Sequence, residues 1–184
     1  MGNNRSMKIL ETPRLILRWF TLEDAAFIVD LLNEPGWKRF IGDRGVSNLE
    51  SARTYLQNSP LASYAQHGFG LYGMESKSDG SLIGMCGLIK REGLDDVDIG
   101  FALLSQYEGQ GVAYEAAAAT LVYARDVLKI PRVVAITAVD NERSARLLQR
   151  LGLTYEQTIY LPNDSEPLHL YGIQLIPASG TSPS

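Results

Sequence analysis

Hydrophobic and polar positions change period several times along this 184-residue chain, and each change predicts an element. Over residues 96–103, Asp96, Asp98, Gly100 and Ala102 alternate with Val97, Ile99, Phe101 and Leu103, which predicts a strand with one apolar face. From Ala113 onward, Ala117, Leu121, Ala124 and Leu128 recur at helical spacing, which predicts a long alanine-rich helix. Earlier, residues 15–18 read as a first strand. Thr21 and Asp24 form a capping signal before the apolar run Ala25, Phe27, Ile28, Leu31 and Leu32, which Pro35 and Gly36 end. A second signal, Ser47 with Glu50, opens a helix to about residue 57. Residues 69–74 and 82–89 are strand-like runs around a polar Asp79-Gly80 loop, a hairpin. Pro131 stops the long helix and residues 133–138 read as a buried strand. Asn141 to Ser144 start a short helix with Ala145, Leu148 and Leu151 on one side and Gly152 past its end. Residues 154–160 and 168–174 read as closing strands. Strands on both sides of a central helix predict an α/β chain.

The length suits one domain with a sizeable core, expected over residues 9–176. Residues 1–8 and 177–184 are polar, small or proline-bearing and read as flexible tails. A net charge of −4 offers no basic field for nucleic acid or a membrane surface. Cys86 is the sole cysteine, so neither an internal disulfide nor a multi-cysteine metal site is expected; it lies in an apolar run and reads as a small buried hydrophobe. His67 and His169 are isolated, and no metal is expected. No apolar run would span a bilayer and the first seven residues are not signal-like, so a cytoplasmic protein is expected.

Between the strand and the long helix lies Gly109-Gln110-Gly111. The first N–H groups of a helix have no intrahelical partner and point outward at its positive end, so a strand, a glycine turn and a helix make an anion site. A phosphate or pyrophosphate is therefore expected over residues 109–114. The turn has no Gly-Lys-Ser/Thr and no third glycine, which speaks against a Walker-type triphosphatase or a dinucleotide fold.

Asp98-Ile99-Gly100, then Glu108-Gly109-Gln110-Gly111-Val112-Ala113, then Asn141-Glu142-Arg143-Ser144 and Leu151-Gly152-Leu153 follow an order that resembles the GCN5-related N-acetyltransferases, the GNAT superfamily. Residues 107–116 and the Asn141-x-x-Ser144 spacing look like the ribosomal-protein-alanine (RimJ/RimL-like) branch. The resemblance runs from Thr12-Pro13-Arg14-Leu15 to about residue 175. It implies a GNAT fold: a mixed, mostly antiparallel sheet of six to seven strands, splayed at the centre and flanked by about four helices. It further implies acetyl-CoA in the splay. The pyrophosphate would meet backbone N–H groups of the turn that Gly109 opens, at Gln110, Gly111, Val112, Ala113 and Tyr114. The pantetheine arm would lie along the backbone of Ala102, Leu103 and Leu104 like an added strand. Glu108 departs from the family's usual Gln or Arg and brings a carboxylate near two phosphates, which is unfavourable unless it turns to solvent. Family helices wall the acceptor cleft, so Trp37, Phe40 and Ile41 are candidate substrate contacts, with ordinary core residues as the alternative.

Acetyl transfer to an amine requires an ammonium to lose a proton first. Asp98 stands where many family members carry a glutamate and is the candidate base, directly or through water; a solvated strand carboxylate is the alternative, and Asp96 competes for the role. The backbone N–H of Leu104 or its neighbour is a candidate oxyanion donor. Leu148 fills the place of a family tyrosine and cannot donate a proton to the departing thiolate. In the ribosomal-protein branch a serine does so, and Ser144 matches it; Ser144 as a helix-start residue is the other reading. Asn141 would contact pantetheine amides or cap the helix. The implied activity is transfer of an acetyl group from acetyl-CoA to a primary amine, on a protein N-terminus or a small molecule, by direct attack in a ternary complex. A non-catalytic acyl-CoA-binding module is the alternative. The protein is expected to be a monomer or homodimer.

Overall fold

The computed structural model describes residues 6–36 and 45–177. Trp37, Phe40 and Ile41 lie outside the described residues. Among those described, eight strands form one sheet: β1 (Lys8–Glu11), β2 (Leu15–Arg18), β3 (Leu71–Ser76), β4 (Leu82–Ile89), β5 (Val97–Leu103), β6 (Arg132–Ala138), β7 (Thr154–Ile159) and β8 (Leu168–Gln174). The order across the sheet is β1-β2-β3-β4-β5-β6-β8-β7. The first strand has only Ile9 and Leu10 as an apolar signal. It exists because the chain reverses at once, with the Thr12 N–H bonded to the Leu15 carbonyl at 2.9 Å, so that Lys8 faces Arg18 and Leu10 faces Leu17. Lys8 thus belongs to the sheet rather than to a loose tail.

Every pairing is antiparallel except β5 with β6, which run parallel and meet only at Val97 with Val133 and Asp98 with Val134. Parallel neighbours need a crossover connection. Helix α4 (Val112–Asp126) supplies it. Beyond Asp98 the two strands part, and β5 continues to Leu103 and β6 to Ala138 with no partner on the facing edges among the described residues. The sheet therefore opens into a fork whose apex is Asp98.

Both faces of the sheet are covered. On one, Ile99, Tyr72, Cys86 and Leu88 pack under α4 through Val112, Ala116, Ala117, Leu121 and Ala124. Val112 and Ala116 are buried while Ala113 is only half-buried, and the helix ends at Asp126, short of Leu128. On the other face, Leu71, Met85 and Ala102 pack under α1 (Ala25–Leu32) and α2 (Leu49–Leu56) through Ile28, Leu31, Ala52 and Leu56. Burying each large side chain contributes roughly 1.5–3 kcal/mol. The alternation in β5 was expected to leave a solvated face; instead α1 and α2 cover it, and Asp98 is only 1% exposed.

Helix α2 starts one residue later than Ser47-x-x-Glu50 suggests: Asn48 Oδ1 accepts from the Ser51 N–H at 2.8 Å and Ser51 Oγ accepts from the Asn48 N–H at 3.1 Å. Nor does the helical path stop near residue 57. A wide π turn over Gln57–Leu61 carries Pro60 and leads into α3 (Ala62–His67). Proline removes one backbone donor, and the looser turn accommodates the loss. The last helix, α5 (Glu142–Arg150), lies where the sequence places it. No helix among the described residues is long and apolar enough to cross a membrane.

Candidate active site

On the α4 side, the loop between β5 and α4 ends in Gly109 and Gly111, both at φ +79°. In that left-handed region a side chain costs about 1–2 kcal/mol, so the two glycines are required by conformation as well as by access. Gly111 is the first helix-capping position and no side chain caps the helix there. The first intrahelical bond runs from the Glu115 N–H to the Gly111 carbonyl at 3.1 Å, so the N–H groups of Val112, Ala113 and Tyr114 have no intrahelical acceptor.

Thr12 and Arg14 hold this loop in place. The Arg14 guanidinium meets Glu115 Oε1 at 2.8 Å and the Gln110 carbonyl at 2.9 Å, while the Arg14 N–H and the Thr12 hydroxyl donate to Glu115 Oε2 at 3.0 and 2.5 Å. Burial raises the Glu115 carboxyl, but hydrogen bonds from Thr12 and Arg14 outweigh it and the net shift is downward. The clamp is therefore ionised at neutral pH. Glu108, the misfit of the sequence, meets Arg143 Nη1 at 2.8 Å, which offsets its charge near the anion site. Both are well exposed, so the pair contributes about 1 kcal/mol at most. The Arg150 guanidinium lies 4.6 Å from the centre of the Tyr114 ring and ties α5 to the start of α4.

The two arms of the fork correct part of the expected pantetheine track. The Leu104 N–H donates to the Ile83 carbonyl at 3.0 Å. Backbone polar groups alternate sides along a strand, so Ala102 faces β4 as Leu104 does, and Leu103 and Phe101 turn into the gap. Of the three residues expected to line the track, Leu103 alone presents its N–H and carbonyl there, and the Leu104 N–H is spent and cannot serve as the oxyanion donor. Phe101 shares the orientation of Leu103, which the period of two gives once the side facing β4 is known. On the opposite arm, the Thr137 hydroxyl is buried with no hydrogen-bond partner among the described residues. Asn141 Oδ1 accepts from the Ser144 N–H at 3.2 Å and so caps α5, leaving only its NH2 for a pantetheine amide. Ser144 is half-buried on that first turn. Leu148 is 1% exposed inside the core and offers no donor. An open strand edge, an unpartnered hydroxyl across from it and outward helix N–H groups fit a chain of amides ending in a diphosphate.

Asp98 faces the other way, toward α1 and α2. Arg91 Nε and Nη2 each approach its Oδ2 at 3.4 Å, and Oδ1 is buried with no partner among the described residues. Burial pushes this carboxyl up to about 6, with the Arg91 charge and hydrogen bonds acting against the rise. Asp96 is paired elsewhere. Its carboxylate is held at 3.1 Å by Arg132, which also binds Glu156 at 2.8 Å, and this network braces β5, β6 and β7 at the closed end. A cavity of about 720 Å³ opens beside Arg91, floored by Leu71, Met85, Gly100 and Phe101 and walled by α2 and the π turn through Thr54 and Asn58. Cys86 is fully buried against the Thr120 hydroxyl at 3.5 Å, and burial pushes its thiol up to about 12.

Residues 14–154 match the family model described as an acetyltransferase (GNAT) domain. The chain is 30% identical over 150 residues to YoaA, an uncharacterized N-acetyltransferase of Bacillus subtilis, covering 80% of this chain and 84% of that one. The solved structure of an acetyltransferase from Agrobacterium tumefaciens superposes with a TM-score of 0.77 at 26% identity, over 95% of this chain and 98% of that one. RimL, a ribosomal L7/L12 alpha-N-protein acetyltransferase, shares the fold with a TM-score of 0.76 at 20% identity, over 95% of this chain and 97% of that one. The family match begins at the clamp residue Arg14 and ends where β7 starts, so it contains the entire fork. On that ground the chain belongs to the GNAT family of acetyltransferases, enzymes whose acyl donor is acetyl-CoA.

Proposed function

We propose that the chain transfers the acetyl group of acetyl-CoA to a primary amine, on a protein N-terminus or a small molecule, by direct attack with both substrates bound. The observation that carries this reading is a carboxylate buried at the apex of a sheet fork, beside an acceptor cavity, with its pKa near 6. A base poised near the working pH is the most effective one. The diphosphate rests on the N–H groups of Val112, Ala113 and Tyr114, and the pantetheine arm adds along Leu103 and Phe101. The ammonium gives one proton to Asp98, directly or through a water. Its nitrogen lone pair attacks the thioester carbonyl; a C–N bond forms, the C–S bond breaks, and sulfur leaves with the electron pair. The second amine proton balances the thiolate, toward which the Ser144 hydroxyl donates a hydrogen bond.

Direct attack is supported by Cys86: the sole cysteine is buried and its thiol is held neutral, so it is no acyl carrier. The test is thiol release from acetyl-CoA across a panel of amines, including peptides that begin with Ala or Ser, paired with thermal stabilisation by the cofactor. Release with at least one amine is expected. Stabilisation without release on any amine would leave an acyl-CoA-binding module, and absence of both would remove the reading altogether.

A further inference from the structure

We propose that the acceptor cleft selects primary amines bearing a carboxylate one or two carbons from the nitrogen, α- or β-amino acids, and that Arg91 holds that carboxylate. The inference rests on the reading of Asp98 as base.

Arg91 and Glu50 are the charged residues among the described lining of the 720 Å³ cavity. A guanidinium carries five donors in a planar fork that matches a carboxylate. The Arg91 side chain bonds only Asp98 among the described residues, through Nε and Nη2 at 3.4 Å to one oxygen, longer than the usual 2.7–3.2 Å range. Its side chain is 25% exposed, toward the cavity, whereas that of Asp98 is 2% exposed. A cation this far buried, with most of its donors uncommitted, is the strongest anion-binding feature of the cleft. Three polar groups on the facing helix are already in use: Asn48 Oδ1 and Ser51 Oγ cap the helix start, and the Thr54 hydroxyl donates to the Glu50 carbonyl at 3.2 Å. Glu50 sits on the first turn of α2 and is exposed, at the rim.

Geometry then links recognition to chemistry. The group that binds the carboxylate also touches the base. An amine one or two carbons from a carboxylate seated on Arg91 falls on the Asp98 side of the guanidinium, where a water can relay its proton to the buried carboxylate. Charges alternate along the series acceptor carboxylate, Arg91, Asp98, ammonium, so each buried charge gains an opposite neighbour. The apolar floor of Leu71, Met85 and Phe101 leaves room for a side chain beyond the amino acid backbone.

The experiment pairs L-amino acids of small, apolar and aromatic side chain, and β-alanine, each with its carboxamide. It measures kcat/KM with acetyl-CoA and, separately, calorimetric binding in the presence of coenzyme A. The wild-type protein is expected to prefer the acid over the amide by about tenfold or more. Arg91→Gln is expected to bring that ratio to about one, chiefly through KM of the acid, and Arg91→Lys, which keeps charge without the planar fork, to fall between. Coenzyme A binding confirms that each variant is folded. A wild-type ratio near one, or a ratio that Arg91→Gln leaves unchanged, overturns the inference while transferase activity stands. If no amine turns over, binding decides: an acid preference lost in Arg91→Gln upholds the carboxylate site and sinks the transferase reading, and equal binding of acid and amide sinks the site as well.

Discussion

The two sides of the fork are built from different materials. The donor side is mostly backbone: N–H groups at the start of α4, the unpaired edge of β5, and glycines that keep the approach clear, held by Thr12, Arg14 and Glu115. The acceptor side is made of side chains: a buried carboxylate, one arginine and an apolar floor. Backbone groups bind the same way whatever residue carries them, so the donor side suits a ligand common to a whole family. Side chains can be exchanged one at a time, so on the proposed function the acceptor side is where specificity would reside. Each side should therefore fail in its own way.

The largest separation is expected from Asp98→Asn. Turnover should fall by about 10²-fold or more, while coenzyme A affinity measured by calorimetry stays within a factor of about two. If both fall together, Asp98 supports the fork rather than the chemistry. Gly111→Val should do the converse. Forcing a β-branched residue to φ +79° and crowding the anion site should weaken coenzyme A by about tenfold or more, and saturating cofactor should restore most of the turnover.

A pH series sharpens the contrast. Folding raises the Asp98 pKa from the ordinary 3.8 to about 6, so the native state binds this proton more tightly than the unfolded chain. Stability from this group is therefore fully present below about pH 4 and is lost as pH rises through about 6, a decline on the order of 3 kcal/mol. Denaturant unfolding between those limits should show a slope that Asp98→Asn abolishes. Activity should move oppositely, rising through the same interval as Asp98 ionises; an unaltered pH–rate profile in Asp98→Asn would dismiss it as the base. The smallest effect belongs to Arg143→Ala. It leaves Glu108 unpaired near the diphosphate, and because both groups are exposed the loss in coenzyme A affinity should be two- to fivefold and vanish at high salt.

The donor side was legible because its signals are local. Gly109 and Gly111 ahead of an alanine-rich helix, and the period of two in residues 96–103, announce a turn, a helix start and a strand without any knowledge of what packs on them. Local patterns also sufficed for seven of the eight strands, β1 carrying only Ile9 and Leu10 as an apolar signal. They fell short where a helix could continue: the pattern ends at about residue 57, yet the chain passes Pro60 in a π turn and runs on to His67. The acceptor side was much less visible. Asp98 stands out in the sequence and Arg91 does not, because nothing in a loop between two strands tells which way its side chain reaches.

What the order of residues determined by itself was therefore most of the elements, the glycine turn ahead of α4 and the family, all of which depend on neighbours within a few positions. Tertiary structure alone decided that β5 and β6 part after Asp98, that Asp96 pairs with Arg132 and Asp98 with Arg91, and that Thr12 and Arg14 reach 103 and 101 residues along the chain to clamp Glu115. The reason is physical: periodicity reports which face of an element is apolar, whereas the pKa of a buried acid and the partner of an arginine depend on what the fold brings against them from afar.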